Sequence, residues 1–252
     1  MFSEPLRAPS VSSLAACALL ACILPAAAAS ADVISVGASA DNTLFEDSLG
    51  SLSSGAGQHM FAGRLLTGSI RRAAIRFDLS SVPAGAIVTG VTMRLSMSRS
   101  VSTGEETTLH TITQNWGQAG SNAGMGGAGA PAQPGDATWL HAAFNTTLWA
   151  NAGGDFAAAP SASTIVGGNG FYTWSSASMA ADVQSWLNGS GNFGWMILGN
   201  EADVQSAKRF DTRENADASV RPVLTITYII PSPAPAAFIA AAMLPLAARR
   251  RR

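Results

Sequence analysis

The stretch RRAAIRFDLSSVPAGAIVTGVTMRL, residues 71–95, decides the fold. It opens with apolar and polar residues that alternate over 73–77, as in a strand with one buried face. Residues 82–85 have the composition of a turn. The alternation then resumes over 87–97 and places its apolar residues on one face. The stretch therefore predicts two strands joined by a turn.

The rest of the chain between residues 32 and 228 repeats this pattern of short β-like runs separated by Gly, Ser, Asn and Pro. Many short strands with frequent turns and little helix predict an all-β protein, in the form of a β-sandwich. Its length suits a single domain. The other predicted strands are residues 33–36, 107–113, 163–166, 171–174, 193–198, 207–210 and 223–228.

One helix is predicted, because four apolar residues recur at helical spacing: Met179, Val183, Trp186 and Leu187. Ser176 or Ser178 can cap its start, and Gly189 lies where a left-handed C-terminal cap belongs. We expect this helix to cover one open end of the sandwich.

The N-terminal end has the pattern of a segment that is removed after export. Residues 11–29 are almost wholly apolar and lead into the small-x-small site Ala29-Ser30-Ala31, which predicts a signal peptide over 1–31. A buried helix is the alternative, but the segment has no polar face. Cys17 also fits a lipoprotein signal, although the apolar run continues well past it. Cys17 and Cys22 are the only cysteines, so a chain cleaved after Ala31 has no thiol chemistry.

The C-terminal residues 229–252 have three parts in a fixed order. A proline-containing motif precedes an apolar stretch over 236–248, and arginines end the chain: Pro231, Pro233, Pro235, Arg249, Arg250, Arg251 and Arg252. This order resembles the PEP-CTERM class of sorting tails. The resemblance implies transient membrane anchoring by a short hydrophobic helix, then cleavage by an exosortase-type sorting enzyme. A plain anchor is the alternative, although a membrane core needs about 20 apolar residues.

The charge of residues 32–228 excludes one class of partner. This part of the chain has 10 basic and 15 acidic side chains, so its net charge is near −5. Proteins that bind nucleic acids present a basic footprint, which is absent here. We therefore expect no nucleic-acid partner.

Four motifs, in order, resemble DNRLRE-type domains, which are related to a jelly-roll carbohydrate-binding module found beside polysaccharide lyases. They are the 71–95 stretch, TQNW at 113–116, ADVQSWLNG at 181–189 followed by NFG, and FDTRE at 210–214 followed by RPVLTITY. The resemblance covers about residues 32–228 and implies a jelly-roll-like β-sandwich. A Gly- and Ala-rich stretch in the middle and the few charges depart from the family pattern. The resemblance therefore supports the fold more strongly than it supports any particular ligand.

The sequence contains no recognisable catalytic arrangement. His59, His110 and His141 lie far apart, without the spacing of metal ligands. The carboxylates are scattered, and there is no GxSxG elbow and no cysteine–histidine pair. Two GxGxxG strings, at 124–129 and 189–194, do not follow a strand and open a helix, so we interpret them as loops. We expect that the protein is not an enzyme.

Three tryptophans that flank the Gly-rich stretch are candidate carbohydrate-binding residues: Trp116, Trp139 and Trp149. The flat apolar face of an exposed indole matches the C–H face of a sugar ring. The alternative is that these indoles fill the core, which is favoured for Trp116. Exposed aromatics beside polar side chains would support sugar binding, whereas buried aromatics would support a structural role.

Four oxygen-bearing residues near the start are candidate calcium ligands: Asp41, Asn42, Glu46 and Asp47. Oxygen-rich loops of jelly-roll modules often hold this ion, which takes about six to eight oxygen ligands. The four residues do not form an EF-hand pattern, and an ordinary polar loop is the favoured alternative.

We therefore expect an exported, non-catalytic protein of the cell surface or extracellular matrix that binds or embeds in extracellular polysaccharide. Aromatic stacking and hydrogen bonds from loop Asn, Gln and Asp side chains would supply the binding. The alternative is a structural matrix or adhesion protein without glycan specificity.

Overall fold

A computed structural model of the protein describes residues 30–231 as mostly antiparallel β-structure with one α-helix. The predicted signal peptide up to residue 29, and the tail from residue 232 with Pro233, Pro235 and the four arginines, lie outside the described residues. Pro231 is described and is exposed. Between residues 30 and 231, no helix is long and apolar enough to cross a membrane.

The described part of the chain begins with seven strands. They are β1 (Ala31–Phe45), β2 (Leu52–Ser53), β3 (His59–Arg64), β4 (Ile70–Phe77), β5 (Ile87–Arg99), β6 (Glu105–Thr111) and β7 (Ala130–Pro131). The remaining elements are β8 (His141–Ala143), β9 (Thr147–Leu148), β10 (Ala162–Val166), β11 (Gly170–Ser175), α1 (Ala177–Leu187), β12 (Trp195–Leu198), β13 (Lys208–Asp211), a 3-10 turn (Ala218–Val220) and β14 (Val223–Ile229).

The prediction of an all-β protein with one short helix is confirmed. Each predicted strand overlaps a strand of the structure, including the two strands, β4 and β5, that flank the 82–85 turn. The sequence pattern missed β3, because five of its six residues are buried and no polar alternation marks it.

Six strands close into a ring by backbone pairing, in the order β1, β14, β5, β13, β3, β4 and back to β1. The ring closes at β1 because the first half of this strand pairs with β14 and the second half with β4. Outside the ring, β11 adds to β5, while β12, β6 and β10 extend the sheet from β4. The fold is thus a closed six-stranded barrel with extra strands, and the jelly-roll order stays a prediction.

The main core lies between facing strands of this barrel. Met93, Leu95 and Phe210 pack on one side of it, and Ile75 and Ile197 on the other. Each is shielded completely from water, and burial of such a side chain contributes about 1.5–3 kcal/mol to folding. The 71–95 stretch therefore supplies residues to both sides of the core.

Helix α1 is capped at both ends as its sequence predicts. The Ser176 hydroxyl accepts a hydrogen bond from the Met179 N–H at 3.0 Å, and Gly189 follows the helix with a φ of +102°. Met179 and Val183 reach the main core. Gln184 accepts the N–H of Val88 at 2.8 Å, which fixes the helix against the start of β5.

A second apolar cluster lies on the other face of the β4–β12 sheet. There, Leu44, Ala74 and Met196 pack against side chains from the segment that follows β6. Alternation along β4 explains the two clusters, because Ala73 and Ile75 face the main core while Ala74 faces outward. The Gly- and Ala-rich stretch is thus part of a layer that covers the barrel.

Candidate functional site

The three predicted sugar-binding tryptophans form the centre of this second cluster. Trp116, Trp139 and Trp149 are only 3%, 9% and 5% exposed. The Trp116 indole donates to Phe193 O at 2.7 Å, and the Trp149 indole donates to Thr138 O at 2.9 Å. The burial of these rings supports the alternative that they fill the layer that covers β4, and sugar binding by them stays a prediction.

The four predicted calcium ligands are not brought together either. Strand β1 continues through Phe45, so Asp41 and Asn42 lie on a strand and their side chains point to opposite faces. The Asn42 side chain accepts from Ser53, Glu46 accepts the Ile70 N–H and Asp47 binds Ser51. Within residues 30–231, no three His, Cys, Asp or Glu side chains are grouped as a metal site.

Asp41 instead pairs with Glu214, a residue that the sequence did not single out. Burial raises the pKa of Asp41 well above its usual value, and the neighbouring Glu214 carboxylate raises it further. Among the described residues, Asp41 Oδ1 and Glu214 Oε2 have no hydrogen-bond partner. The two carboxyl groups lie within hydrogen-bonding reach of each other. The raised pKa favours a proton on Asp41, which gives its carboxyl group a donor in place of a second negative charge beside Glu214.

His59 also has a partner that its isolated position in the sequence did not reveal. Its Nδ1 lies 2.9 Å from Asp211 Oδ1 across β3 and β13, and both side chains are buried. Burial lowers the pKa of His59, and nearby Arg209 lowers it further, against the effect of Asp211. The other ring nitrogen faces the Met125 sulfur at 3.3 Å. A histidine–carboxylate pair that faces a thioether lacks the nucleophile of a hydrolase triad.

An open groove of about 370 Å³ lies beside this pair, at the end of the barrel where β5 stops. Its walls come from β3, β13 and the loops around residues 65–66, 100–101 and 125–127. We call it the arginine groove, after its three arginines and the apolar side chains beside them: Arg64, Arg99, Arg209, Phe61, Leu65, Leu66, Val101 and Met125. Leu66, Val101 and Met125 are 69%, 75% and 64% exposed, which makes the rim of the groove apolar.

Two of these arginines are direct neighbours across strands. Arg99 on β5 is the pairing partner of Arg209 on β13. Like charges directly opposite on neighbouring strands destabilise a sheet. Burial lowers the pKa of Arg209, Asp211 raises it and Arg99 lowers it again. The groove therefore concentrates positive charge at a cost to the fold.

Arg64 and the Gly-rich loop are held in place by hydrogen bonds to backbone oxygens. Arg64 Nε donates to Gly68 O at 2.7 Å, and Arg71 Nε donates to Gly127 O at 2.8 Å. Arg209 Nε donates to Ser98 Oγ at 3.1 Å. In the part of the chain that the structure describes, no carboxylate lies within 4 Å of Arg64, Arg99 or Arg209. Their charge is available to a bound anion.

A buried lysine supports the rim of the groove. Lys208 is completely buried, and its ammonium donates to Ser100 Oγ at 2.9 Å, Ser102 Oγ at 3.0 Å and Thr103 O at 2.6 Å. Burial lowers the pKa of Lys208. The lysine thus ties β13 to the turn that carries Val101 and holds this wall of the groove in place.

Comparison with known proteins adds no relative to these observations: no family model matches the chain, and no curated protein matches it significantly.

Proposed function

We propose that this is an exported, non-catalytic surface protein that binds acidic extracellular polysaccharide in the arginine groove. The observation that carries the proposal is the cross-strand pair of Arg99 and Arg209, which has no carboxylate partner among residues 30–231. A fold that accepts a destabilising like-charge pair at an open surface gains from an anionic ligand that relieves it.

The chemistry of the groove suits a uronate or sulfated sugar polymer. A guanidinium binds a carboxylate or sulfate through two parallel N–H donors, with stronger bonds than those between neutral groups. The apolar side chains of Leu66, Val101 and Met125 can pack against the C–H faces of sugar rings. Residues 32–228 have a net charge near −5, so the three arginines of the groove form a local concentration of positive charge on an acidic domain.

The proposal also includes export to the cell surface and a fold related to jelly-roll carbohydrate-binding modules. The signal-like segment supports export, and the tail that resembles PEP-CTERM sequences supports transient membrane association and recognition by an exosortase-type sorting enzyme. The DNRLRE-like motifs support a jelly-roll carbohydrate-binding ancestry. The antiparallel strands and the core between facing strands agree with that ancestry.

A structural matrix or adhesion protein without glycan specificity is the second candidate. One specific observation favours it, namely the burial of Trp116, Trp139 and Trp149, which removes the predicted aromatic platform. The two candidates differ in the groove, because a purely structural protein has no need for uncompensated arginines beside an apolar rim.

Affinity electrophoresis of the full chain in gels that contain polygalacturonate or hyaluronate tests the proposal. We expect retardation by these acidic polymers that weakens as salt is added, since screening acts on exposed charges. Arg99→Gln should reduce retardation about tenfold, in line with the loss of one charged hydrogen bond. Gels run with and without calcium test the predicted cofactor.

Arg94→Gln is the matched control, because Arg94 lies on the same strand but contacts Phe171 outside the groove, at 4.7 Å from its ring centre. It carries the same charge change and should leave retardation intact. If the folded wild-type chain migrates equally with and without acidic polymer, the binding proposal fails and the structural candidate stands.

A further inference from the structure

We propose a second sugar-binding site, specific for neutral sugars, at the opposite end of the barrel from the arginine groove. An open pocket of about 500 Å³ lies there between the turn that follows β4 and the C-terminal end of α1. We call it the Trp186 pocket; Asp78, Ser80, Trp186, Asn188 and Asn192 contribute to its lining. The inference rests on the proposed polysaccharide-binding function but concerns a separate surface.

The aromatic member of this pocket is only half-buried. Trp186 packs against Trp195, with ring centres 4.6 Å apart and an angle of 61° between the rings, and also lines the open pocket. No acceptor in the described part of the chain takes the Trp186 indole N–H, whereas Trp195 donates to Asp182 at 3.0 Å. Trp186 therefore offers both an apolar surface and a free donor to a ligand.

Asp78 supplies an oriented acceptor in the same pocket. Its Oδ1 accepts the Ser80 N–H at 2.9 Å, and its Oδ2 accepts the Ser80 hydroxyl at 3.0 Å. These hydrogen bonds lower the pKa of Asp78, so the carboxylate stays ionised at neutral pH. Within residues 30–231 it has no cationic partner within 4 Å. Each oxygen keeps a further lone pair for a hydroxyl group.

Two asparagine side chains, Asn188 and Asn192, supply further polar groups to the Trp186 pocket. Asn188 is exposed at the end of α1, and its Oδ1 accepts from Gln184, while its Nδ2 donor has no partner among the described residues. Asn192 is held in place, since it donates to Phe77 O at 2.8 Å and accepts the Gly194 N–H at 3.2 Å. A fixed amide beside a free amide gives the pocket one rigid and one adaptable polar edge.

The indole, the carboxylate and the amides together determine which class of ligand fits the Trp186 pocket. An indole surface beside a carboxylate acceptor and an amide donor fits a sugar ring that presents C–H groups on one face and adjacent hydroxyls at its edge. The size of the pocket is within the range of about 300–1,000 Å³ typical of small-molecule sites. Asp78 repels a uronate carboxylate, so the Trp186 pocket takes neutral sugars while the arginine groove takes acidic ones.

The two sites are separated by the length of β5. Ala86 lines the Trp186 pocket directly before Ile87 begins the strand, and Arg99 ends the strand in the arginine groove. A strand of 13 residues spans roughly 40 Å at about 3.3 Å per residue. A single molecule can therefore contact two polymer chains at once.

The test uses affinity electrophoresis of the full chain in gels that contain hydroxyethyl-cellulose, galactomannan or dextran. We expect at least one of these neutral polymers to retard the wild-type chain. Asp78→Asn, which keeps the shape of the side chain, and Asn188→Ala should each weaken retardation by about tenfold, as for a lost hydrogen bond to a charged or well-placed group. Trp186→Phe keeps an aromatic ring against Trp195 and should also weaken it.

Ser185→Ala is the matched control, since Ser185 is exposed on the same helix and bonds only Ser190 at 2.8 Å among the described residues. It should bind as the wild type does. The inference is overturned if no neutral polymer retards the folded chain, or if Asp78→Asn and Asn188→Ala bind as tightly as Ser185→Ala. Arg99→Gln separates the two proposals, because it should weaken only the response to acidic polymers.

Discussion

Arg99 and Arg209 face each other directly across β5 and β13, so two guanidinium groups share one wall of the arginine groove. Arg209 is held by the Ser98 hydroxyl, whereas Arg99 is exposed and is bonded to no other described side chain. Arg99 is thus free to bind a ligand. Electrostatic repulsion from Arg209 raises the energy of the unliganded groove, and a bound anion relieves this repulsion.

Replacing Arg99 should therefore have opposite effects on stability and on binding. Arg99→Gln removes the cross-strand repulsion and should raise the free energy of unfolding by about 0.3–1 kcal/mol. The same variant should lose affinity for acidic polymers. Urea unfolding and affinity electrophoresis on one preparation measure both quantities. A variant that lost stability together with affinity would show that Arg99 is a structural residue.

Replacing the buried tryptophans should affect folding rather than sugar contact. Trp149→Ala leaves a large cavity in the second cluster and should cost about 3–5 kcal/mol, measured by urea unfolding. Phe171→Ala is the comparison, because Phe171 is 53% exposed and its loss should cost about 1 kcal/mol or less. Trp149→Phe, if folded, should still be retarded by acidic polymers, since the ring touches no ligand.

The Asp41–Glu214 pair makes part of the stability depend on pH. Because the folded state raises the pKa of Asp41, the native chain binds more protons than the unfolded chain at pH values between the two pKa values. Stability should therefore fall as pH rises from about 4 through the folded pKa of Asp41. Asp41→Asn removes the buried acidic group and supplies an amide N–H donor, so it should be more stable than the wild type at neutral pH.

Asp47 is the control, because its effect on stability should change with pH in the opposite direction. Hydrogen bonds from Ser51 lower the pKa of Asp47, so its contribution is present at neutral pH and is lost as pH falls through that pKa. Urea midpoints between pH 3 and pH 8 should separate Asp41→Asn from Asp47→Asn. Equal pH slopes for the wild type and Asp41→Asn would contradict the raised pKa of Asp41.

Gly194 should tolerate no side chain. It has a φ of +75°, and a Cβ atom there would lie 2.0 Å from Ile75 O, a backbone atom that cannot move aside. Gly194→Ala should cost at least about 2 kcal/mol in urea unfolding, from backbone strain and the clash. At Gly168 a Cβ atom meets nothing within 4 Å, so Gly168→Ala should change stability by less than about 1 kcal/mol.

Local patterns predicted most of the elements of this fold. The alternation over 87–97 marked β5, because one face of the strand meets the core and the other does not. Spacing of Met179 and Val183 marked α1 for the same reason. Strand β3 has no such pattern, because its residues are buried on both faces and do not alternate between apolar and polar.

The candidate site was not predictable in this way. Which residues face each other across strands depends on strand order and register, so the sequence gives no sign that Arg99 meets Arg209 or that Asp41 meets Glu214. The burial of the three tryptophans was not predictable for a related reason. Gly- and Ala-rich composition predicts an exposed loop, but here the small residues allow the chain to lie flat on β4 and β12 while the indoles fill the space beneath.

The register of β14 against β5 decides how a tethered molecule bears mechanical load. Ile229, the last residue of β14, is the partner of Ile87, and seven residue pairs join the two strands. If the proposed tail tethers the chain and the arginine groove holds a polymer, tension between Ile229 and Arg99 runs parallel to these strands. Their hydrogen bonds are then loaded in shear, all together rather than one after another, so the barrel can stay folded under a pull that would unzip a hairpin.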